Sequence, residues 1–192
     1  MEGVVAEKPV IKVAAICGSL RKASFNRSLL RSAIQICNES IKGMEIEYID
    51  IAALPMQNTD LEVDGTYPPT VEAFRRKISP LKNAIDWASR PPNMWANKAA
   101  AILSVAGGGQ GRRCQFHLRQ IGVYLDLHFI NKPEFFLNGW QPPAKFDSDG
   151  KLIDLAIEEE LKEVLLSLQA FTLRLQGKNL KDKCGIDSSI GA

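Results

Sequence analysis

Ser19, Arg21, Lys22, Ser24 and Asn26 crowd into one short stretch, Gly18-Ser19-Leu20-Arg21-Lys22-Ala23-Ser24-Phe25-Asn26. Hydroxyls, an amide and two cationic side chains are the donors a phosphate group calls for. A helix starting just after them would add its first backbone N–H groups and the positive end of its dipole. The same residue types also serve as plain helix caps, since Ser and Asn satisfy the first orphan amides of a helix. On spacing alone both readings stand. The turn is neither the G-x-G-x-x-G of dinucleotide folds nor the G-x-x-x-x-G-K-[ST] of nucleoside triphosphatases. A turn of side chains and amides with a single glycine suits flavin mononucleotide (FMN) better than a pyrophosphate.

A second turn, Ala106-Gly107-Gly108-Gly109-Gln110-Gly111, lets backbone approach a ligand closely, or is simply a tight turn after a strand. Arg112 and Arg113 behind it suit a phosphate group, or form a solvated pair at a helix start. His117 and His128 carry no motif and are read as structural, and Trp87 and Trp95 as core or interface packing. No nucleophilic triad, metal-ligand cluster or acid–base pair is recognisable, which suits chemistry carried by a cofactor.

Alternating elements must position these turns. Ile11 to Cys17 is an apolar, partly β-branched run that ends at Gly18, and Phe25, Leu29, Ala33, Cys37 and Ile41 then recur every four residues. That is strand, turn, helix, the first half of a βαβ unit. Met44 to Ile51 reads as a second strand, and a long connection from Ala52 to Pro69 precedes a helix near Thr70. Ser79-Pro80 signals a further helix start, running to about Arg90. Strands at Lys98 to Val105 and Tyr124 to Asn131 flank a helix at Arg112 to Gly122. An extended piece at Phe135 to Trp140, a plain turn at Lys145 to Gly150 and a helix from Ile153 to Gln176 complete the pattern.

The signature Gly18 to Asn26 resembles the G-S-L-R-x-x-S-x-N of the flavodoxin-like NADPH-dependent FMN reductases, most of all their plant NAD(P)H:quinone oxidoreductase branch. Pro80-Leu81-Lys82-Asn83-Ala84-Ile85-Asp86-Trp87 and the glycine turn extend the resemblance from about Val10 to Gln176. It implies a doubly wound parallel sheet of order 2-1-3-4-5, FMN as cofactor and NADPH or NADH as co-substrate. It implies hydride transfer to FMN and two-electron reduction of a quinone, by a cytoplasmic homodimer or homotetramer. Ser19, Arg21, Ser24 and Asn26 would hold the FMN phosphate, and Ser104, Gly107, Gly108 and Gly109 would lie near the ring.

One part of the family pattern is missing. An apolar third strand and an S-P-E-Y-N flavin loop are expected before the Pro80 helix, yet Arg75-Arg76-Lys77-Ile78 runs straight into Ser79-Pro80. Unpaired neighbours of a central strand would cost roughly 1–3 kcal/mol for each buried group. The first and fourth strands are therefore expected to close up, or the chain to fold poorly. A second reading follows: a splice or decayed variant that keeps the family's subunit contacts without its redox chemistry. A phosphorylatable receiver domain is discounted, because the first strand does not end in an acidic cluster.

Bulk properties set the outer limits. The 192 residues fit one α/β domain: an extension at 1–9, an FMN-binding domain at 10–176 and a polar tail at 177–192. With 45% hydrophobic and 24% charged residues the chain is of the soluble globular class. A net charge of +2 is too small to argue for nucleic acid or an acidic membrane surface, and no apolar run is long enough to span a membrane. The N-terminus lacks the features of a signal or transit peptide. Cys17, Cys37, Cys114 and Cys184 form no C-x-x-C pair and read as reduced thiols.

Overall fold

The computed structural model describes residues 10–19, 21, 23–55, 61–62, 66–77, 81–108 and 110–177. Strand β1 (Ile11–Ile16) leads into helix α1 (Phe25–Ser40), then β2 (Met44–Ile49). Helices α2 (Pro69–Lys77) and α3 (Leu81–Ser89) follow in direct succession, with no strand between them among the described residues. Next come β3 (Lys98–Ala100), β4 (Leu103–Ala106), α4 (Gln110–Tyr124), β5 (Leu127–Phe129), β6 (Phe135–Asn138) and α5 (Leu155–Leu175).

The strands form three parallel two-stranded ladders, β1–β2, β3–β5 and β4–β6. β3 and β4 are one pass of chain, predicted as a single strand and divided at Ala101-Ile102. The division has a cause in the partner. Lys98 faces Leu127 at an offset of 29 residues and Leu103 faces Phe135 at an offset of 32, so three extra residues are accommodated between β5 and β6. The strand expected from Tyr124 to Asn131 also shrinks. α4 continues to Tyr124, and Asp126 turns the chain at a φ of 56° before β5 begins.

Two apolar layers flank the strands. Leu29, Ala33, Ile36 and Cys37 of α1 meet Leu161, Val164 and Leu165 of α5 over Ile11, Val105 and Leu137. On the opposite face Val71, Ala84, Ile85, Trp87 and Trp95 gather with Ile49 and Leu125. Trp87 is wholly buried, donating Nε1 to the Pro55 carbonyl at 3.1 Å, and Trp95 donates Nε1 to the Ile85 carbonyl at 3.2 Å. Both tryptophans are core residues. α5 starts on a firm cap, with the Asp154 carboxylate accepting from the Ala156 and Ile157 N–H groups at 3.1 and 3.2 Å.

The expected closing-up of the first and fourth strands is not what the structure shows. β1 pairs only with β2, β3 and β4 pair only with β5 and β6, and among the described residues no ladder joins the two sets. A cavity of about 1040 Å³ lies between them instead.

Candidate functional site

α1 follows β1 onto one face of the strands, and α4 follows β4 onto the other, so the connections diverge above a shared rim. Ligands of open α/β sheets sit at such a divergence, outside the carboxyl ends of the strands. The turn that leads from β1 into α1 and the turn at 107–108 both occupy that rim.

Ser24 is the N-cap residue of α1, with φ −82° and ψ 126°, yet its side chain makes no capping hydrogen bond. The first turn of α1 holds no acidic residue, so nothing within the helix offsets its positive end. Ser24 is buried, Ser19 is half-buried and Arg21 is exposed. The Ser19 Oγ accepts from the Arg21 N–H at 3.4 Å, and the Arg21 guanidinium donates to the Ala23 carbonyl at 3.1 Å, folding its charge over the turn. This concentrates an uncommitted hydroxyl, bare helix N–H groups and a cation, the donor set that a phosphate monoester fits.

Asn26 has a different principal contact. Its Nδ2 donates to the Val105 carbonyl at 3.1 Å, and its Oδ1 accepts from the Val105 N–H at 2.9 Å. The side-chain amide thereby imitates a strand rung and ties the start of α1 to β4. An amide nitrogen carries two protons, so one donor is left for a ligand.

Arg27, which spacing did not single out, fastens the turn from beneath. Its Nε donates to the Ser19 carbonyl at 3.1 Å, and its guanidinium lies 3.8 Å from Asp50 and 5.9 Å from the Tyr48 ring centre.

On the second turn, Gly108 has a φ of 57°, and a Cβ built on it would meet nothing within 4 Å. The backbone there faces open space, as a planar ring would need. Gly107 lies beside Trp140, a residue 63% exposed whose ring meets Phe25 edge-on at 5.5 Å. Trp140 and Phe25 are aromatic neighbours of the rim that sequence reasoning did not select; only their convergence in space marks them. Gly109 lies outside the described residues, as do Ser79 and Pro80 at the point where the family's flavin loop is expected.

Ser104 is half-buried on β4, and its hydroxyl accepts from Gln115 Nε2 at 2.7 Å. That nitrogen also donates to the Phe135 carbonyl at 2.7 Å, so Gln115 links β4, α4 and β6 under the glycine turn. Of the arginines behind the turn, Arg112 lies 3.9 Å from Glu134 and 5.8 Å from the Phe136 ring centre. Among the described residues no group of His, Cys, Asp or Glu is placed to hold a metal ion.

Residues 11–80 and 79–142 match the profile of a family described as NADPH-dependent FMN reductase, in two stretches that meet at Ser79-Pro80. A curated protein named NADPH:quinone oxidoreductase, from Arabidopsis thaliana, is 63% identical over 196 residues, covering 93% of this chain and 100% of that one. Since 93% of 192 residues is about 179, about 17 of the 196 aligned positions have no counterpart here. An NAD(P)H:quinone oxidoreductase from Solanum tuberosum is 62% identical over 192 residues, covering 91% of this chain and 99% of its own. Among solved structures, the flavoenzyme NAD(P)H:(acceptor) oxidoreductase FerB from Paracoccus denitrificans superposes with a TM-score of 0.70 at 25% identity. It covers 88% of this chain and 99% of that one.

Proposed function

We propose, for a chain that belongs to the NADPH-dependent FMN reductase family, that it is an NAD(P)H:quinone oxidoreductase using FMN. The fold is flavodoxin-like and the chain is an oxidoreductase of that family. The observation that carries the cofactor assignment is the start of α1. Its N–H groups are uncapped, its first turn is free of acid, and it shares a rim with the open backbone of Gly107 and Gly108.

FMN supplies the chemistry when bound, taking a hydride from NAD(P)H and passing an electron pair to the quinone. The protein's own residues bind and orient. Ser24, Ser19, Arg21 and the first N–H groups of α1 hold the phosphate. Asn26 locks that turn to β4 through Val105, so the distance from phosphate seat to glycine turn is fixed. Gly107 and Gly108 present backbone to the ring, and Ser104 on β4 is oriented by Gln115. The names of the Arabidopsis and potato relatives support the quinone as electron acceptor.

We also place the chain in the cytoplasm as a homodimer or homotetramer. Val123 and Tyr124 at the end of α4 are more than 80% exposed, which supports a subunit contact there. No helix among the described residues is long and apolar enough to cross a membrane.

The test is a titration of flavin fluorescence. FMN is expected to quench on binding, Ser24→Ala to weaken it about tenfold (about 1.4 kcal/mol), and riboflavin, which lacks the phosphate, to be indifferent to that change. A chain that stays colourless with excess FMN refutes the assignment. That outcome would favour the second reading, a non-catalytic variant retaining subunit contacts, for which the unladdered edge of β1 speaks.

A further inference from the structure

The cavity between β1 and β3–β4 has the dimensions of a strand. A residue of β-strand occupies about 3.3 Å along the chain, about 4.8 Å in the pairing direction and about 10 Å between flanking layers, or about 160 Å³. Six residues, the length of β1, then fill roughly 950 Å³, the same order as the cavity's volume of about 1040 Å³. Its two long walls are the strand passes themselves, Val10 to Cys17 on one side and Lys98 to Ala106 on the other. Each pass is laddered on its far side only, so both present backbone to the gap, apart from Val105, whose N–H and C=O are held by Asn26. Leu165 and Leu168 of α5 cover one face, and Leu118 and Ile121 of α4 the other. An apolar small molecule would fill the volume and leave the edge N–H and C=O groups unsatisfied, whereas a strand satisfies both edges.

The direction is fixed as well. Asn26, just past the carboxyl end of β1, bonds Val105 near the carboxyl end of β4, so the two passes run the same way. The same contact closes that end of the gap. Among the described lining residues the only charges are Lys12 and Lys98, both near the amino ends of their strands, and no acid accompanies them.

We propose that this gap receives one extended segment of a partner polypeptide, about six apolar β-branched residues led by an acidic one, as a parallel central strand. The alternating passes would hydrogen-bond it on both edges, the helices would cover both faces, and the leading carboxylate would sit between Lys12 and Lys98.

The probe is the peptide acetyl-Glu-Val-Ile-Val-Ile-Val-Val-amide, added to the full chain and followed by amide hydrogen exchange. Alternate amides of β1 and the Leu103 amide, though not the Val105 amide that Asn26 already holds, are expected to exchange freely without peptide and at least tenfold more slowly with it, with a rise in Tm. A peptide N-methylated at alternate residues should give neither effect, and one led by Lys should bind at least threefold more weakly. Absence of slowing overturns the proposal. So does equal action of the N-methylated peptide, which is adhesion without pairing, or equal binding of the Lys-led one. Amides already protected in the free chain, by its own N-terminal segment or by direct closure of the gap, overturn it too. Flavin fluorescence in the same samples reports the cofactor site separately.

Discussion

Asn26→Ala removes both hydrogen bonds to Val105, whose residue is only 4% exposed. Each buried backbone group left unpaired costs about 1–3 kcal/mol. The cavity beside them admits water, which places each loss near the lower end, for a sum of about 2–3 kcal/mol. With a urea m-value of about 2 kcal/mol/M, the unfolding midpoint should fall by about 1–1.5 M. Urea titration followed by far-ultraviolet circular dichroism reads this directly. Asn26→Asp sharpens it, since the carboxylate still accepts from the Val105 N–H but turns an oxygen on the Val105 carbonyl. At pH 7 it should be no better than the alanine variant. As pH falls past about 4 the carboxyl gains a proton it can donate, and its deficit relative to the unaltered chain should narrow. A midpoint for Asn26→Ala within 0.25 M of the parent, about 0.5 kcal/mol at that m-value, would refute the idea that this amide stands in for a strand rung.

Two further predictions rest on single contacts. A Cβ at Gly122 would lie 2.1 Å from the Phe129 ring, an overlap the flexible end of no side chain relieves. Overpacking of about 1–3 kcal/mol should outweigh the helix gain of roughly 1 kcal/mol. Gly122→Ala should therefore lower Tm by a few degrees and Phe129→Leu should partly restore it; a raised Tm contradicts the packing. Asp154 is held below the usual carboxylate range by the Lys145 ammonium at 2.7 Å and then by the Ile157 and Ala156 N–H groups. Its folded value is depressed, so its contribution is complete above the unfolded value of about 3.9 and lost as pH falls through the folded one. The Tm difference between the parent and Asp154→Asn should be constant above pH 5 and shrink steadily below pH 4; an unchanged gap at pH 2.5 rules this out.

Local periodicity carried most of the elements. The four-residue recurrence from Phe25 marks α1, and the Ser79-Pro80 signal places α3 at Leu81. The division of β3 from β4 was hidden because its cause lies in the partner, where residues near Lys132 and Pro133 displace the register. α4 ends later than its periodicity suggests, and Asp126 then adopts positive φ, a conformation that Asp visits only occasionally. At the site, donor types were legible but partners were not. Asn26 reads as a phosphate donor, and its contact with Val105, 79 positions away, is invisible to spacing. Gln115 lies inside a helix with no motif, and only folding brings it to Ser104 and Phe135.

The offset of three residues between the β5 and β6 ladders shapes how the molecule meets its own kind. β5 and β6 border the structure, and an uninterrupted border strand invites other chains to pair with it and polymerise. Here that border is cut into pieces of three and four residues. Between them stand an exposed lysine and a proline that has no N–H to offer. The break that costs the ladder its regularity thereby guards the chain against fibrous self-association along that flank.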